Sequence, residues 1–205
     1  MSEAILGHEA HRDDFGSKLG MWLFLVTEIL LFSGLFITYS YLRAKYPADF
    51  HHAGGLLDVR IGVANTFILL TSSLTMVLSL VAIQRNDRMK SLLFLGSTVL
   101  LGAAFLVNKG LEWSAKIHHG IYPNSPHLGT FPPGEQVFFG LYYTMTGLHG
   151  IHVVAGIGVL TWIFVRLARG RINQENYVLL ENGGLYWHLV DVVWIFLLPL
   201  FYLAA

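Results

Sequence analysis

The sequence contains no cysteine. That absence removes disulfides, thiol nucleophiles, iron–sulfur ligation and cysteine-bound zinc together, and leaves the redox compartment unreadable. Charge is scarce as well. Asp, Glu, Lys and Arg make up 13% of 205 residues, about half the share of an average soluble domain. Acidic and basic residues balance to a formal net charge of zero, so there is no electrostatic footprint for nucleic acid. Internal repeats and low-complexity tracts are also missing.

What is abundant is apolar surface: 54% of residues are hydrophobic. Five apolar runs, near 18–43, 62–83, 91–113, 137–166 and 184–204, each reach the roughly 20 residues that a helix needs to cross a bilayer. The runs are continuous, not alternating, and a spanning segment must satisfy its own backbone polar groups, so they read as helices and not as strands. The expectation is an all-α polytopic membrane protein: a five-helix transmembrane domain over 18–205, preceded by a polar segment over 1–17. The first run is too long for a signal-peptide core and no small-residue cleavage pattern follows it, so it is expected to stay as a span.

Turn-forming residues separate the runs. Pro47 with Gly54 and Gly55 marks a first loop, and Asn86 with Asp87 a very short second. Pro123, Pro126, Pro132 and Pro133 fill the third, and 170–183 forms the fourth. Short connections imply antiparallel neighbours. Arg12, Lys18, Arg85, Arg88, Lys90, Arg166, Arg169 and Arg171 fall on one side, against Arg43, Lys45, Arg60, Lys109 and Lys116 on the other. This asymmetry predicts a cytoplasmic amino terminus and an external carboxyl terminus.

Charged groups at bilayer depth are costly and usually face a partner or a cavity. Four stand away from the ends of the runs: Glu28, Lys109, Glu112 and Asp191. Lys109 and Glu112, three apart, read as a local ion pair near the interface, with Trp113 as a belt residue. Glu28 has no opposite charge within a turn of its own helix, so its partner must come from elsewhere, or it must be protonated. His149, His152 and Gly156 share a helical face, and His188 shares one with Asp191. The histidines read as hydrogen-bonded packing residues, and His188 with Asp191 as a network fixing helix contacts. Gly147 and Gly150 with Thr146 predict close approach of another helix. Asn65, Ser72 and Ser79, seven apart, give the second span one polar stripe for a neighbour.

The segment from Thr144 through His149 and His152 to Val153, followed by Tyr186, Trp187, His188, Leu189, Val190, Asp191, Val192, Val193 and Trp194, resembles the signature of subunit III of haem–copper oxidases. So do Leu23 to Phe32 around Glu28, Asn65 to Thr75 with Ser72 and Ser73, and Lys109 to Trp113. The matches come in order and cover nearly the whole chain from Lys18. The resemblance implies a helical bundle packed against the catalytic subunit I, with haem and copper held by partner subunits and no redox centre in this chain. It also implies bound phospholipid and support of sustained proton uptake, in a bacterial cytoplasmic membrane. By motif position, Glu28 matches the family's lipid-associated glutamate, His152 its helix-four histidine, and Arg166 the basic residue at that helix's cytoplasmic end. The chain is similar to the short, five-helix form, beginning where longer members have their third helix. That form occurs in cytochrome c oxidases, in quinol oxidases and in a branch associated with nitric oxide reductase. Glu28 and the Tyr186-Trp187-His188 run fit the cytochrome c branch better.

Two readings of other classes stand beside this one. A small b-type cytochrome would use His152 and His188 as haem ligands. A small transporter would use Glu28 and Asp191 as proton carriers, although such proteins usually show repeats and helices broken near the midplane.

Overall fold

The computed structural model describes residues 14–203. Among them the chain forms six α-helices: α1 (Asp14–Lys45), α2 (Pro47–Gly55), α3 (Val59–Gln84), α4 (Arg88–His118), α5 (Pro133–Ala168) and α6 (Val178–Leu198). All but α2 are long and apolar enough to cross a membrane. The expected all-α architecture with five spans is therefore what the chain adopts. The residues 1–13 of the expected polar segment, and the end of the fifth run at 204, lie outside the described residues.

Each long helix begins before the apolar run that announced it, and all but α6 also end beyond it. Hydropathy marks only the part in hydrocarbon, whereas a helix continues until a cap stops it. Asp58 caps α3 by accepting from the Arg60 amide at 2.9 Å, and Asp87 caps α4 by accepting from that of Lys90 at 3.1 Å. Asn86, at φ 60°, supplies the left-handed turn between α3 and α4. The first expected loop is instead largely α2. Pro47, at its first position, presets the helical backbone angle.

Helix α5 is capped at both ends by other elements. Asp49 of α2 accepts from the Gly134 amide at 3.0 Å. Arg88, opening α4, donates to the carbonyls of Leu167, at 2.9 Å, and Ala168. These contacts satisfy terminal backbone groups that the helix itself cannot.

The core lies among α3, α4, α5 and α6, and Trp187 and Trp194 of α6 are completely buried in it. Small residues admit Trp187: a Cβ on Gly102 of α4 would come within 2.6 Å of its ring, and one on Gly156 of α5 within 2.9 Å. Trp187 Nε1 donates to Ser72 at 3.0 Å. The polar stripe of α3 is wholly buried, as expected, and serves two neighbours. Asn65 and Ser79 bond to Asn108 and Ser91 of α4, and Ser72 to α6. Gly150 corrects an expectation, since no atom lies within 4 Å of where its Cβ would be. Gly147 lies beneath Trp113, and Thr146 bonds back to Tyr142 of its own helix. Gly147 thus makes the expected close approach to α4, and the tightest approaches are made at Gly62, Gly102, Gly134, Gly156 and Gly183.

Beyond α6, Pro199 has no N–H to continue the α ladder, and Pro199–Leu203 forms a π turn. This turn brings Phe201 and Tyr202 back into the core. Helix α1 is the least embedded element. Only 11% of its most apolar window is buried, against 50% for the last span. It is held by polar ties at its start (Lys18 to Glu181, 2.8 Å) and its far end (Tyr39 to the Leu200 carbonyl), and by a third at mid-helix.

Candidate functional site

That third tie joins two residues singled out separately in the sequence. Glu28 Oε2 lies 2.8 Å from His152 Nε2, and both side chains keep about one-sixth of their surface exposed (15% and 16%). His152 Nδ1 is 2.8 Å from the Leu148 carbonyl. A carbonyl can only accept, so Nδ1 carries a hydrogen. The Nε2 to Oε2 contact therefore holds one further proton. It sits on the carboxyl in a neutral pair or on the ring in an ion pair. Phe32 packs edge-on against the imidazole, and Tyr186 donates to the His152 carbonyl at 3.1 Å.

A cleft of about 780 Å³ lies between α1 and α5, and its lining begins one helical turn from the pair, at Leu31 and Leu148. Leu31, Gly34, Leu35 and Thr38 form one wall, and Tyr143, Thr144, Gly147, Leu148 and Ile151 the other. The cleft is mostly apolar along its length. An acyl chain fits such a groove, because it needs no hydrogen bonds along the walls. Arg166 lies fourteen residues from His152 on α5, about 21 Å along the axis. Its guanidinium stacks over Trp162 at 4.8 Å, a position suited to the headgroup region.

The Lys109–Glu112 pair departs from its expected place. It is not an interfacial contact: the two residues are 6% and 4% exposed. Lys109 Nζ donates to Glu112 (2.9 Å), Tyr142 (2.9 Å) and Tyr202 (2.6 Å), which uses all three of its hydrogens. Both tyrosines in turn donate to Glu112 at 2.7 Å. Trp113 is a partly buried residue against Tyr143. The sequence reading missed Tyr142 and Tyr202. Tyr202 arrives through the π turn, which Pro199 could have signalled.

The histidines separate. His149 does not join a hydrogen-bonded network: neither ring nitrogen has a partner, and the ring packs between Phe105 and Trp194. His188 and Asp191 make no bond to one another. His188 Nδ1 meets Ser73 at 2.7 Å, while neither Asp191 oxygen completes a hydrogen bond. His152 is committed to α1 and His188 to α3, so the structure does not bring them to one ligand. Glu28 and Asp191 are likewise not joined. Among the described residues, no group of three or more His, Cys, Asp or Glu is placed to hold a metal.

The sequence pattern of the cytochrome c oxidase subunit III family matches residues 1–205. The chain belongs to that family. It is 36% identical over 187 residues to the cytochrome c oxidase subunit 3 of Bacillus sp. (strain PS3), covering 91% of this chain and 85% of the relative. It is 32% identical over 212 residues to the cytochrome bo(3) ubiquinol oxidase subunit 3 of Pseudomonas aeruginosa, covering 98% and 92%. A haem–copper oxidase subunit I+III of Aeropyrum pernix is 28% identical over 193 residues, 91% of this chain and 22% of that longer protein. Membership of the subunit III family makes the chain a membrane-embedded component of a haem–copper oxidase complex. Two of the three positions matched to this family by motif, Glu28 and His152, meet in space, and Arg166 stands apart.

Proposed function

We propose that this chain is the non-catalytic third subunit of a cytochrome c oxidase, sustaining the complex while partner subunits carry haem, copper and oxygen chemistry. The observation that carries this reading is the Glu28–His152 contact between α1 and α5, one helical turn from the apolar cleft between the same helices. A pair sharing one proton can take up or release it, and the apolar groove beside it can seat a phospholipid chain. Arg166 on Trp162 is suited to hold an anionic headgroup. The subunit I+III relative, one chain bearing both names, supports direct contact with subunit I. Residues 18–205 form the membrane domain in this proposal, with residues 1–17 and the start of α1 in the cytoplasm and the carboxyl terminus outside a bacterial inner membrane. The basic-residue asymmetry of the loops supports that orientation.

The test is Glu28→Gln in the intact complex. Glutamine keeps the shape and can donate to His152 Nε2, but carries no exchangeable acid proton. The haem spectrum and initial oxygen-consumption rate stay nearly unchanged. Activity decays faster during prolonged turnover, or phospholipid is lost. Unaltered turnover lifetime and lipid content would return the pair to a packing role. An immediate collapse of the initial rate would place Glu28 in the reaction itself. A second reading, the third subunit of a quinol oxidase, is favoured by the Pseudomonas relative. Oxidation of reduced cytochrome c or of quinol by the purified complex separates the two.

A further inference from the structure

The Ser73–His188–Asp191 set takes no part in the site above, and it sits at a demanding depth. Ser73 is within two residues of the centre of α3, and His188 within three of the centre of the span Val178–Leu203. At 1.5 Å per residue both lie about 4 Å or less from the midplane of a bilayer crossed by these helices. Asp191 is 3% exposed. His188 is half-buried, with Nδ1 committed to Ser73. Its Nε2 has no partner in the chain and, unlike the sealed atoms of Asp191, reaches the surface.

The surroundings of that nitrogen are apolar. Leu70 and Val77 share the helical face of Ser73, and Val192 and Ile195 share that of His188. These four are between 42% and 46% exposed. The α3–α6 surface is thus a hydrocarbon-like face with one polar atom in it. Lipid does not complete such a face. An acyl chain has neither donor nor acceptor, headgroups lie roughly 15 Å away, and an unsatisfied polar group at this depth costs several kcal/mol. Another transmembrane helix does complete it, because interhelical hydrogen bonds and close packing drive association in membranes.

We propose that the α3–α6 face is an interface with a transmembrane helix of another oxidase subunit, which presents a hydrogen-bonding side chain to His188 Nε2. The proposal rests on the chain being an oxidase subunit. Ser73 sets the contact by fixing the ring through Nδ1, so that Nε2 points to the neighbour.

The experiment uses the intact complex in native membranes, with photoreactive benzoylphenylalanine in place of Val192 or of Val77. Illumination is expected to give an adduct between this chain and a transmembrane segment of a co-purifying subunit, mapped by mass spectrometry. Adducts with lipid alone at both positions would overturn the proposal. A second measurement tests the polar anchor. His188→Leu should lower retention of the chain in the detergent-purified complex, and His188→Gln should restore it, with the amounts in unextracted membranes equal. Wild-type retention of His188→Leu would overturn the role of Nε2. Failure of the unmodified chain to co-purify with any haem-bearing subunit would instead defeat the oxidase reading itself.

Discussion

Two acid–base pairs deep within the spans are built in opposite ways. Lys109 and Glu112 sit three residues apart on one helix, yet their partners, Tyr142 and Tyr202, come from α5 and from the π turn after α6. Every donor on the ammonium is used, and three aromatic rings lie within 5.2 Å of it. Glu28 and His152 come from helices 124 positions apart in the chain. They keep an exposed edge and share a single proton. The first pair is closed on itself, as a network that specifies packing must be. The second remains open on one side, as a group that exchanges a proton or touches a lipid must. Burial and partner count, and not the presence of charge, distinguish the closed pair from the open one here.

The comparison is broken most directly at Lys109. Lys109→Met should destabilise the solubilised complex by about 3–5 kcal/mol, because it leaves a buried carboxylate without its cation. Thermal denaturation checks this. Glu28→Gln should shift the same melt by no more than about 0.5 kcal/mol, since the site is partly open and the amide can still bond to His152. Equal losses for the two variants would end the distinction. Gly102→Ala should cost about 1–3 kcal/mol by overpacking, as Trp187 is pinned by Ser72 and cannot retreat. Asp49→Ala should cost about 1 kcal/mol, the usual value of a lost cap, and fray the start of α5 in hydrogen exchange. Gly150→Ala should be silent within about 0.5 kcal/mol, since its Cβ meets nothing. A large effect there would mean that a partner packs against Gly150.

Much of the site was named in the sequence without being assembled. Glu28 stood out because no residue on its own helix could neutralise it, a local fact visible in the chain. That its partner would be His152 was not visible, since the pairing depends on which face of α5 turns toward α1. The same limit explains the errors. Lys109 and Glu112 read as interfacial because they lie near the end of an apolar run, but α4 continues to His118 and the π turn folds over them. His149 and His152, three apart, read as one set. A rotation of about 60° between them sends one ring into the core and the other to α1.

By itself the sequence determined the five spans and their class of architecture. Hydrocarbon leaves a run of apolar residues only one open-ended way to satisfy its backbone, so length and hydropathy sufficed. It also carried the family, through residues quoted in order along the chain. The tertiary structure alone decided the partners: Glu28 with His152, Lys109 with two distant tyrosines, Asp49 with the start of α5. Those pairings depend on the rotation and depth of each helix. In a bilayer these are set by side-chain packing such as that of Trp187 against Gly102 and Gly156, and not by hydrophobicity, which lipid and protein interior satisfy equally.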